Sequence, residues 1–210
     1  MTYVDAANGR RTNFLTTLFG EVAEVHQPEG NGVGHEYGLR GNIMSTTVLP
    51  KTGATEDPLV TAYLYLQDCT GVPRARCNKP LSMTAPKGGV TEYEYNDRGQ
   101  LTKQVSPAPH LGAARSTLVN EYTMRQAYIK DASGNPVVAG PPISTLTKSY
   151  TCISSAVCDA STSDTDKIVT EYDYGPTTGL NNLLLRGMSV TAANAAGQIE
   201  TQLTCYTYNY

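Results

Sequence analysis

The sequence predicts an all-β fold, an array of antiparallel β-hairpin repeats that join edge to edge into one curved sheet. Tyrosine dominates the aromatic residues, with 14 Tyr beside 2 Phe and no Trp. A tyrosine-bearing motif recurs along the chain, and a turn signature with glycine recurs between extended segments. Because a tyrosine ring packs on a half-buried pleated surface while its hydroxyl stays hydrated, this usage favours strands.

The longest internal repeat has the order strand, cysteine loop and Tyr-x-Tyr strand. VTEYEY begins at Val90, and VTEYDY begins at Val169. A cysteine pair precedes each copy: Cys69 with Cys77, and Cys152 with Cys158. Because self-similarity of this kind is typical of repeat architectures, we expect one hairpin unit to be used twice, with insertions in its loops.

A shorter signature predicts the turns between strands. Its five copies include NDRGQL and NAAGQI, and they place a glycine at Gly9, Gly41, Gly99, Gly134 and Gly197. An Asp or Asn that opens such a turn can accept hydrogen bonds from the backbone two residues on, and glycine adopts a positive φ without a steric penalty. The signature therefore predicts a type I turn closed by a glycine bulge, which joins two antiparallel strands.

Tyrosines that alternate at period two mark the predicted strands: Tyr93, Tyr95, Tyr172, Tyr174, Tyr206 and Tyr208. Side chains at this spacing share one face of a strand, while Glu92 and Glu94 indicate a solvated opposite face. Helical signals are poor, and the best window, residues 113–127, predicts one turn at most. We therefore interpret residues 1–210 as a single continuous repeat region, part of a longer array.

A Tyr-x-Tyr strand, a turn such as NDRGQL, a β-branched strand and a proline follow one another in VTEYEYNDRGQLTKQVSP. This pattern resembles the YD-repeat (Rhs) family, which is related to the shell components of toxin complexes and to teneurin YD shells. The resemblance implies a hollow shell whose wall grows by one hairpin at a time. It also implies as partners the remaining repeats of the same polypeptide and an encapsulated C-terminal toxin. The self-cleavage motif of toxin-bearing members has no match here, so the resemblance carries no protease onto this chain.

The favoured interpretation of the two cysteine pairs is that each forms a disulfide, and the alternatives are free thiols and a metal site. Each pair lies between two predicted strands of one hairpin, where a bridge is geometrically reasonable. A loop this short contributes about 2.5 kcal/mol when it is closed. Disulfides indicate an oxidising compartment, so we expect a secreted or bacterial cell-surface protein, with the export signal outside this stretch. Cys205 has no partner in this scheme.

Other constellations of reactive residues are weak. The three histidines lack metal-binding spacing, and no serine elbow is present. Glu92 and Glu94 resemble a glycosidase pair, but acids recur at the equivalent positions Glu171 and Asp173, and a catalytic pair is needed only once. We therefore predict no catalytic, cofactor or metal site, and no enzyme.

Charge and hydropathy restrict the partners. With 16 basic and 19 acidic residues the chain offers no basic stripe for nucleic acid, and no apolar run is long enough to span a bilayer. The predicted function is a non-catalytic structural segment of shell wall that encloses or presents a toxin or effector. The alternative is a surface adhesin or carbohydrate-binding module that recognises surface glycans through exposed tyrosine rows.

Overall fold

The computed structural model describes residues 2–5, 11–152, 158–159 and 161–208. These residues form an all-β, antiparallel structure with almost no helix, which confirms the predicted fold class. Contacts divide the chain into two compact units, Met1–Gln100 and Leu101–Tyr210, and each is described by itself. The single continuous repeat region stays a prediction.

In the first unit each strand pairs with the strand that follows it in the sequence. The strands are β1 (Thr2–Asp5), β2 (Arg11–Thr16), β3 (Val22–His26), β4 (Gly32–Tyr37), β5 (Ile43–Leu49), β6 (Leu59–Leu64), β7 (Ser82–Thr84) and β8 (Val90–Tyr95). A short helix α1 (Arg74–Cys77) lies in the long loop between β6 and β7. Bulges interrupt the register at Leu15/Thr16 and at Glu36/Tyr37.

The second unit repeats this arrangement, with one insertion. Its sheet contains β9 (Leu101–Val105), β10 (Thr117–Arg125), β13 (Ile143–Cys152), β14 (Lys167–Asp173), β15 (Gly187–Ala193) and β16 (Ile199–Cys205), in that order. Strands β11 (Tyr128–Lys130) and β12 (Pro136–Val138) form a separate two-stranded hairpin between β10 and β13. A 3-10 turn, Asp164–Asp166, precedes β14.

One five-residue turn recurs between neighbouring strands of the chain. It occurs at residues 17–21, 27–31, 38–42, 85–89, 96–100, 131–135 and 194–198. In each, the fourth residue is a glycine whose N–H donates to the first carbonyl at 2.8–3.2 Å, and the first N–H donates to the fifth carbonyl at 2.8–3.0 Å. The glycines have φ between +74° and +91°, as a type I turn with a glycine bulge requires.

Burial in this protein comes from neighbouring strands, because each sheet leaves most of its side chains at least partly wet. Among the described residues no large side chain is less than 2% exposed. Cross-strand pairs and backbone ladders, not a thick core, therefore hold the fold.

The weakness of the helical signals is confirmed, and one local expectation, about the first cysteine loop, was wrong. Residues Thr117–Arg125, inside the best helical window, form the nine-residue strand β10, because their β-branched residues pack on the neighbouring strands β9 and β13. The first repeat copy contains an additional strand, β7, between its cysteine loop and VTEYEY. The turn at 85–89 creates this strand, so the first cysteine pair closes the β6–β7 connection.

Candidate functional site

A disulfide-closed loop covers one end of the first sheet. We call residues 65–81, between β6 and β7, the strap. Within it Cys69 and Cys77 form a disulfide with a Cα–Cα distance of 5.6 Å, and Cys77 is buried at the end of α1. Pro73 precedes the helix and supplies its first carbonyl acceptor, to which both Arg76 and Cys77 donate. The disulfide thus holds a helix of four residues that would be too short to persist alone.

The strap contacts two hairpin turns that are distant in sequence. On one side the Asn42 Nδ2 donates to Asn78 Oδ1 at 3.2 Å, and Arg40 donates to the Leu66 carbonyl and to Cys69 Sγ at 3.0 Å. These contacts join the strap to the turn at 38–42. The loop is therefore positioned by a guanidinium that reaches across from a neighbouring hairpin.

On the other side the strap meets the turn at 96–100. The Arg76 Nη1 lies 3.8 Å from Asp97 Oδ1. The carbonyl oxygen of Ala75 approaches Gly99 so closely that a Cβ on residue 99 would lie 2.2 Å from it. Gly99 therefore serves two purposes, a positive φ in the turn and close backbone approach by the strap.

The second disulfide lies in a small apolar cluster of the second unit. Cys152 and Cys158 have a Cα–Cα distance of 5.6 Å, and both are buried beside Tyr150. Val119 and Val169 stand opposite Tyr150 on the two flanking strands and pack against the cluster. The Lys167 Nζ lies 5.4 Å from the centre of the Tyr150 ring, within cation–π range.

An aspartate stands beside one cysteine of each disulfide. The backbone N–H of Thr70, followed by its hydroxyl, lowers the pKa of Asp68. The hydroxyl of Ser161, followed by its backbone N–H, lowers the pKa of Asp159. Both carboxylates thus act as turn caps next to a bridge, a role that needs no reactive chemistry.

Four of the five glycines singled out in the sequence lie in the recurring turn. Gly41 and Gly99 have φ +74°, Gly134 has φ +84° and Gly197 has φ +77°. Gly9 lies outside the described residues. In three of these turns the side-chain oxygen of the first residue accepts two backbone N–H groups; the first residues are Asn96, Asp131 and Asn194.

Three of the six tyrosines assigned to strands lie in strands. Tyr93 and Tyr95 belong to β8 with ring centres 6.4 Å apart, and Tyr172 belongs to β14. Tyr174 follows the end of β14, because the Asp173 carboxylate accepts the Gly175 N–H and turns the chain. Tyr206 and Tyr208 follow the end of β16, where the partner strand β15 no longer continues.

Burial changes the ionisation of several tyrosines. Packing of the rings raises the pKa of Tyr95, and the neighbouring hydroxyls of Tyr93 and Tyr65 add to the effect. Burial also raises the pKa of Tyr174, and Tyr172 adds to it. Tyr95 and Tyr174 are both half-buried, and each therefore holds its hydroxyl proton to a higher pH than a solvated tyrosine does.

An apolar row across five strands was missed in the sequence. Phe14, Val25, Val33, Val48 and Leu59 stand opposite one another from β2 to β6. Directly opposed residues of an antiparallel ladder share a face, so these five side chains form one line. Alternation of apolar and polar residues within each strand indicates which residues share a face. The register that aligns the five apolar residues across strands depends on the turns at 17–21 and 27–31.

The acids considered as a catalytic pair lie in exposed strand positions in both copies: Glu92, Glu94, Glu171 and Asp173. Glu171 lies 3.6 Å from the ammonium group of Lys148. Among the residues that the structure describes, no group of three or more His, Cys, Asp or Glu could hold a metal ion. The described ranges also contain no helix of the length and apolar character that crossing a membrane requires.

Comparison with known proteins gives fold-level similarities alone. No family model matches the sequence, and no curated protein matches it. The crystal structure of TcdB2-TccC3 without its hypervariable C-terminal region aligns with 91% of this chain at 14% identity and a TM-score of 0.44. That of TcdB2-TccC3-TEV aligns with 99% at 14% identity and a TM-score of 0.45. This chain spans only 10% and 11% of the length of those two chains.

Proposed function

We propose that this chain is a non-catalytic wall segment of a YD-repeat (Rhs) shell, secreted or displayed on a bacterial surface, that encloses or presents a toxin or effector. One observation carries the proposal. Within each unit nearly every strand pairs with its neighbours in sequence, and the same five-residue turn recurs between strands in both units. A chain built this way extends a surface by one hairpin at a time, which is what a wall requires.

The side chains and the disulfides of such a wall have different work. Half-buried tyrosines in both sheets, and the apolar row in the first sheet, give cohesion without a second layer. The strap and the second disulfide reinforce connections where the tight turn is absent. The partners in this proposal are the remaining repeats of the same polypeptide and an enclosed C-terminal toxin.

A role in recognition of surface glycans is the competing proposal, and one observation favours it. Tyr206 and Tyr208 are exposed at the end of the second sheet, and the Tyr208 hydroxyl is fixed by a hydrogen bond to the Leu185 carbonyl at 2.7 Å. A glycan array with the purified chain separates the two proposals. A wall segment binds no glycan, whereas specific binding that Tyr208→Ala abolishes would establish the adhesin.

Electron cryomicroscopy of the full natural polypeptide tests the wall proposal directly. We expect a hollow particle in which this segment lies in the wall, with both cysteine pairs oxidised. Incubation with an added protease gives a second measurement, since enclosed cargo should survive in the intact particle and be cleaved after the wall is opened. A solid particle, or a segment that lies apart from any wall, would refute the proposal.

A further inference from the structure

The disulfide of the strap joins an accessible cysteine to a buried one. Cys69 is half-buried and precedes α1, whereas Cys77 is 7% exposed at the end of that helix. Thiol–disulfide exchange requires a thiolate to reach one of the two sulfur atoms. The Cys69 Sγ is therefore the atom of this bridge that an incoming thiolate can attack.

The accessible sulfur lies in a positively charged segment. The Arg40 Nη1 donates to Cys69 Sγ at 3.0 Å. The strap itself contains three cations and one acid: Arg74, Arg76, Lys79 and Asp68. Such a segment attracts a thiolate, and a neighbouring guanidinium stabilises a cysteine that leaves as a thiolate.

The same bridge holds the contacts that the strap makes with the turn at 96–100. Between the two cysteines lies α1, whose four residues are too few to stay helical without the closed loop. The Ala75 carbonyl lies against Gly99, and the Arg76 guanidinium lies beside Asp97. Both contacts come from the segment that the bridge closes, so both depend on the bridge.

We propose that Cys69–Cys77 is a thiol–disulfide exchange site that locks the strap, and that a dithiol reductant opens it. One thiolate of the reductant attacks Cys69 Sγ, the S–S bond breaks, and Cys77 leaves with the electron pair and takes a proton. The second thiolate of the reductant then attacks the reductant's own sulfur in the mixed disulfide, and Cys69 leaves as a thiolate beside Arg40. The reductant is oxidised to a disulfide, and both cysteines are reduced.

Opening the bridge frees the strap and leaves the sheet intact. In the described part of the chain no strand pairing runs through residues 70–79, because β6 and β7 pair outside them. Reduction therefore unwinds α1 and releases Ala75 and Arg76 from the turn at 96–100. The strap is closed in an oxidising compartment and open where dithiols are kept reduced. The inference goes beyond the proposed wall role and does not depend on it.

Limited digestion with trypsin measures the opening, because a protease cleaves segments that unfold locally. After treatment with a limiting dithiol, cleavage following Arg74 or Arg76 should be at least about tenfold faster than in the oxidised chain. Cleavage following Lys51, in the loop at the other end of β6, is the internal control and should change less than about twofold.

A double variant separates this bridge from the second disulfide. Cys69→Ser with Cys77→Ser removes the lock without any reductant, so it should show the same fast cleavage of the strap and an unchanged circular dichroism spectrum. The wild-type chain treated with limiting dithiol gives the same measurement if the double variant does not fold. Cleavage of the strap that is equally fast in oxidised and reduced chains would overturn the lock.

Trapping with glutathione, a monothiol, identifies the attacked sulfur. After an acid quench and alkylation, peptide mass spectrometry should find the glutathione adduct on Cys69 at least about tenfold more often than on Cys77. Labelling mainly on Cys77 would overturn the assignment of the attacked atom.

Asp68→Asn tests the contribution of charge. The amide keeps the side-chain oxygen that accepts the Thr70 N–H, and it removes the acid next to Cys69. Reduction of this bridge should become about threefold faster at low ionic strength, because one charge that repels the thiolate is lost. About 1 M salt should abolish the gain. A rate that does not respond to Asp68→Asn at low ionic strength would overturn the role of charge at this site.

Discussion

At the scale of single residues, the same amino acid carries different constraints in copies of the same turn. Gly99 and Gly197 hold the same position in their turns with φ +74° and +77°. Only Gly99 has a neighbour, the Ala75 carbonyl of the strap, where a Cβ would be, while Gly197 has no atom within 4 Å. The pair therefore separates the cost of a positive φ from the cost of close backbone approach.

We expect Gly99→Ala to destabilise the chain more than Gly197→Ala. The latter should lower the free energy of unfolding by about 1 kcal/mol, the cost of a left-handed alanine. Gly99→Ala should lower it by about 3 kcal/mol, because backbone of the strap must also move. Urea unfolding followed by circular dichroism measures both. Equal losses for the two variants would show that the strap does not rest on the turn.

Asn96 offers a second residue-scale prediction. Its Oδ1 accepts the N–H groups of Arg98 at 3.0 Å and Gln100 at 3.1 Å. Asn96→Ala removes both acceptor contacts and should cost about 1–2 kcal/mol of unfolding free energy. Asn96→Asp keeps the oxygen, as Asp131 does in its own turn, and should cost less than half as much. The same urea titration distinguishes them, and identical losses would contradict the capping role.

Sequence reasoning at this scale succeeded where a residue type has few conformational alternatives. An Asn or Asp followed two or three residues later by glycine predicted a turn, because few residues other than glycine adopt a positive φ. The position of Tyr174 outside the strand could not be predicted from the alternation of tyrosines. The strand ends before it because the Asp173 carboxylate accepts a hydrogen bond from the Gly175 N–H. Register, and with it the apolar row, also depends on turn geometry elsewhere in the sheet.

At the scale of elements, the two disulfides close loops of similar length in different surroundings. Cys69 is half-buried and lies 3.0 Å from the Arg40 guanidinium, whereas Cys152 and Cys158 are both buried in a cluster with Tyr150. Thiol attack requires access to a sulfur. The two bridges should therefore differ in the rate at which a dithiol reduces them.

We expect the Cys69–Cys77 bridge to be reduced first. With a limiting dithiol, alkylation of Cys69 and Cys77 should precede alkylation of Cys152 and Cys158 by at least about tenfold in rate, as measured by peptide mass spectrometry. Denaturant should abolish the difference, which provides the control. Arg40→Ala removes the contact to Cys69 and frees the strap from the turn at 38–42, so it should change only the first rate. Simultaneous reduction in the native chain would contradict this order.

The turns and the strand that sequence reasoning missed have only weak signals in the sequence. The turns at 27–31 and 85–89 place Pro28 and Pro86 at the second position, which type I turns favour. The turn at 17–21 has Leu18 and Phe19 at its tip, both fully exposed, and no composition rule assigns such residues to a turn. The strand β10 was not predicted, because its composition is weak for a helix and only adequate for a strand. Its pairing with β9 and β13 is what makes it a strand.

At the scale of the whole molecule, ionisation of the tyrosines couples the fold to alkaline pH. Burial raises the pKa of five of them: Tyr65, Tyr95, Tyr122, Tyr150 and Tyr174. An unfolded tyrosine ionises near pH 10, so the unfolded chain loses these protons before the folded chain does. Their contribution to stability is complete below about pH 10 and is lost as pH rises through the folded pKa values.

We therefore expect the urea midpoint to be constant from pH 8 to pH 9 and to fall steadily above about pH 10. Tyrosinate absorbance should rise later in the folded chain than in the unfolded chain. Tyr95→Phe removes one such group and should flatten the decline. A midpoint that does not depend on pH in this range would contradict the coupling.

Pairing between sequence neighbours also sets how each sheet responds to mechanical load. A force that pulls the end of β16 away from β15, at right angles to the strands, acts first on the β15–β16 ladder, since β16 has no other strand beside it in the described residues. Its hydrogen bonds would break one after another, and β15 would then become the loaded strand. The sheet should therefore unravel strand by strand at low force until the pull reaches the connection between β13 and β14, which the second disulfide shortens.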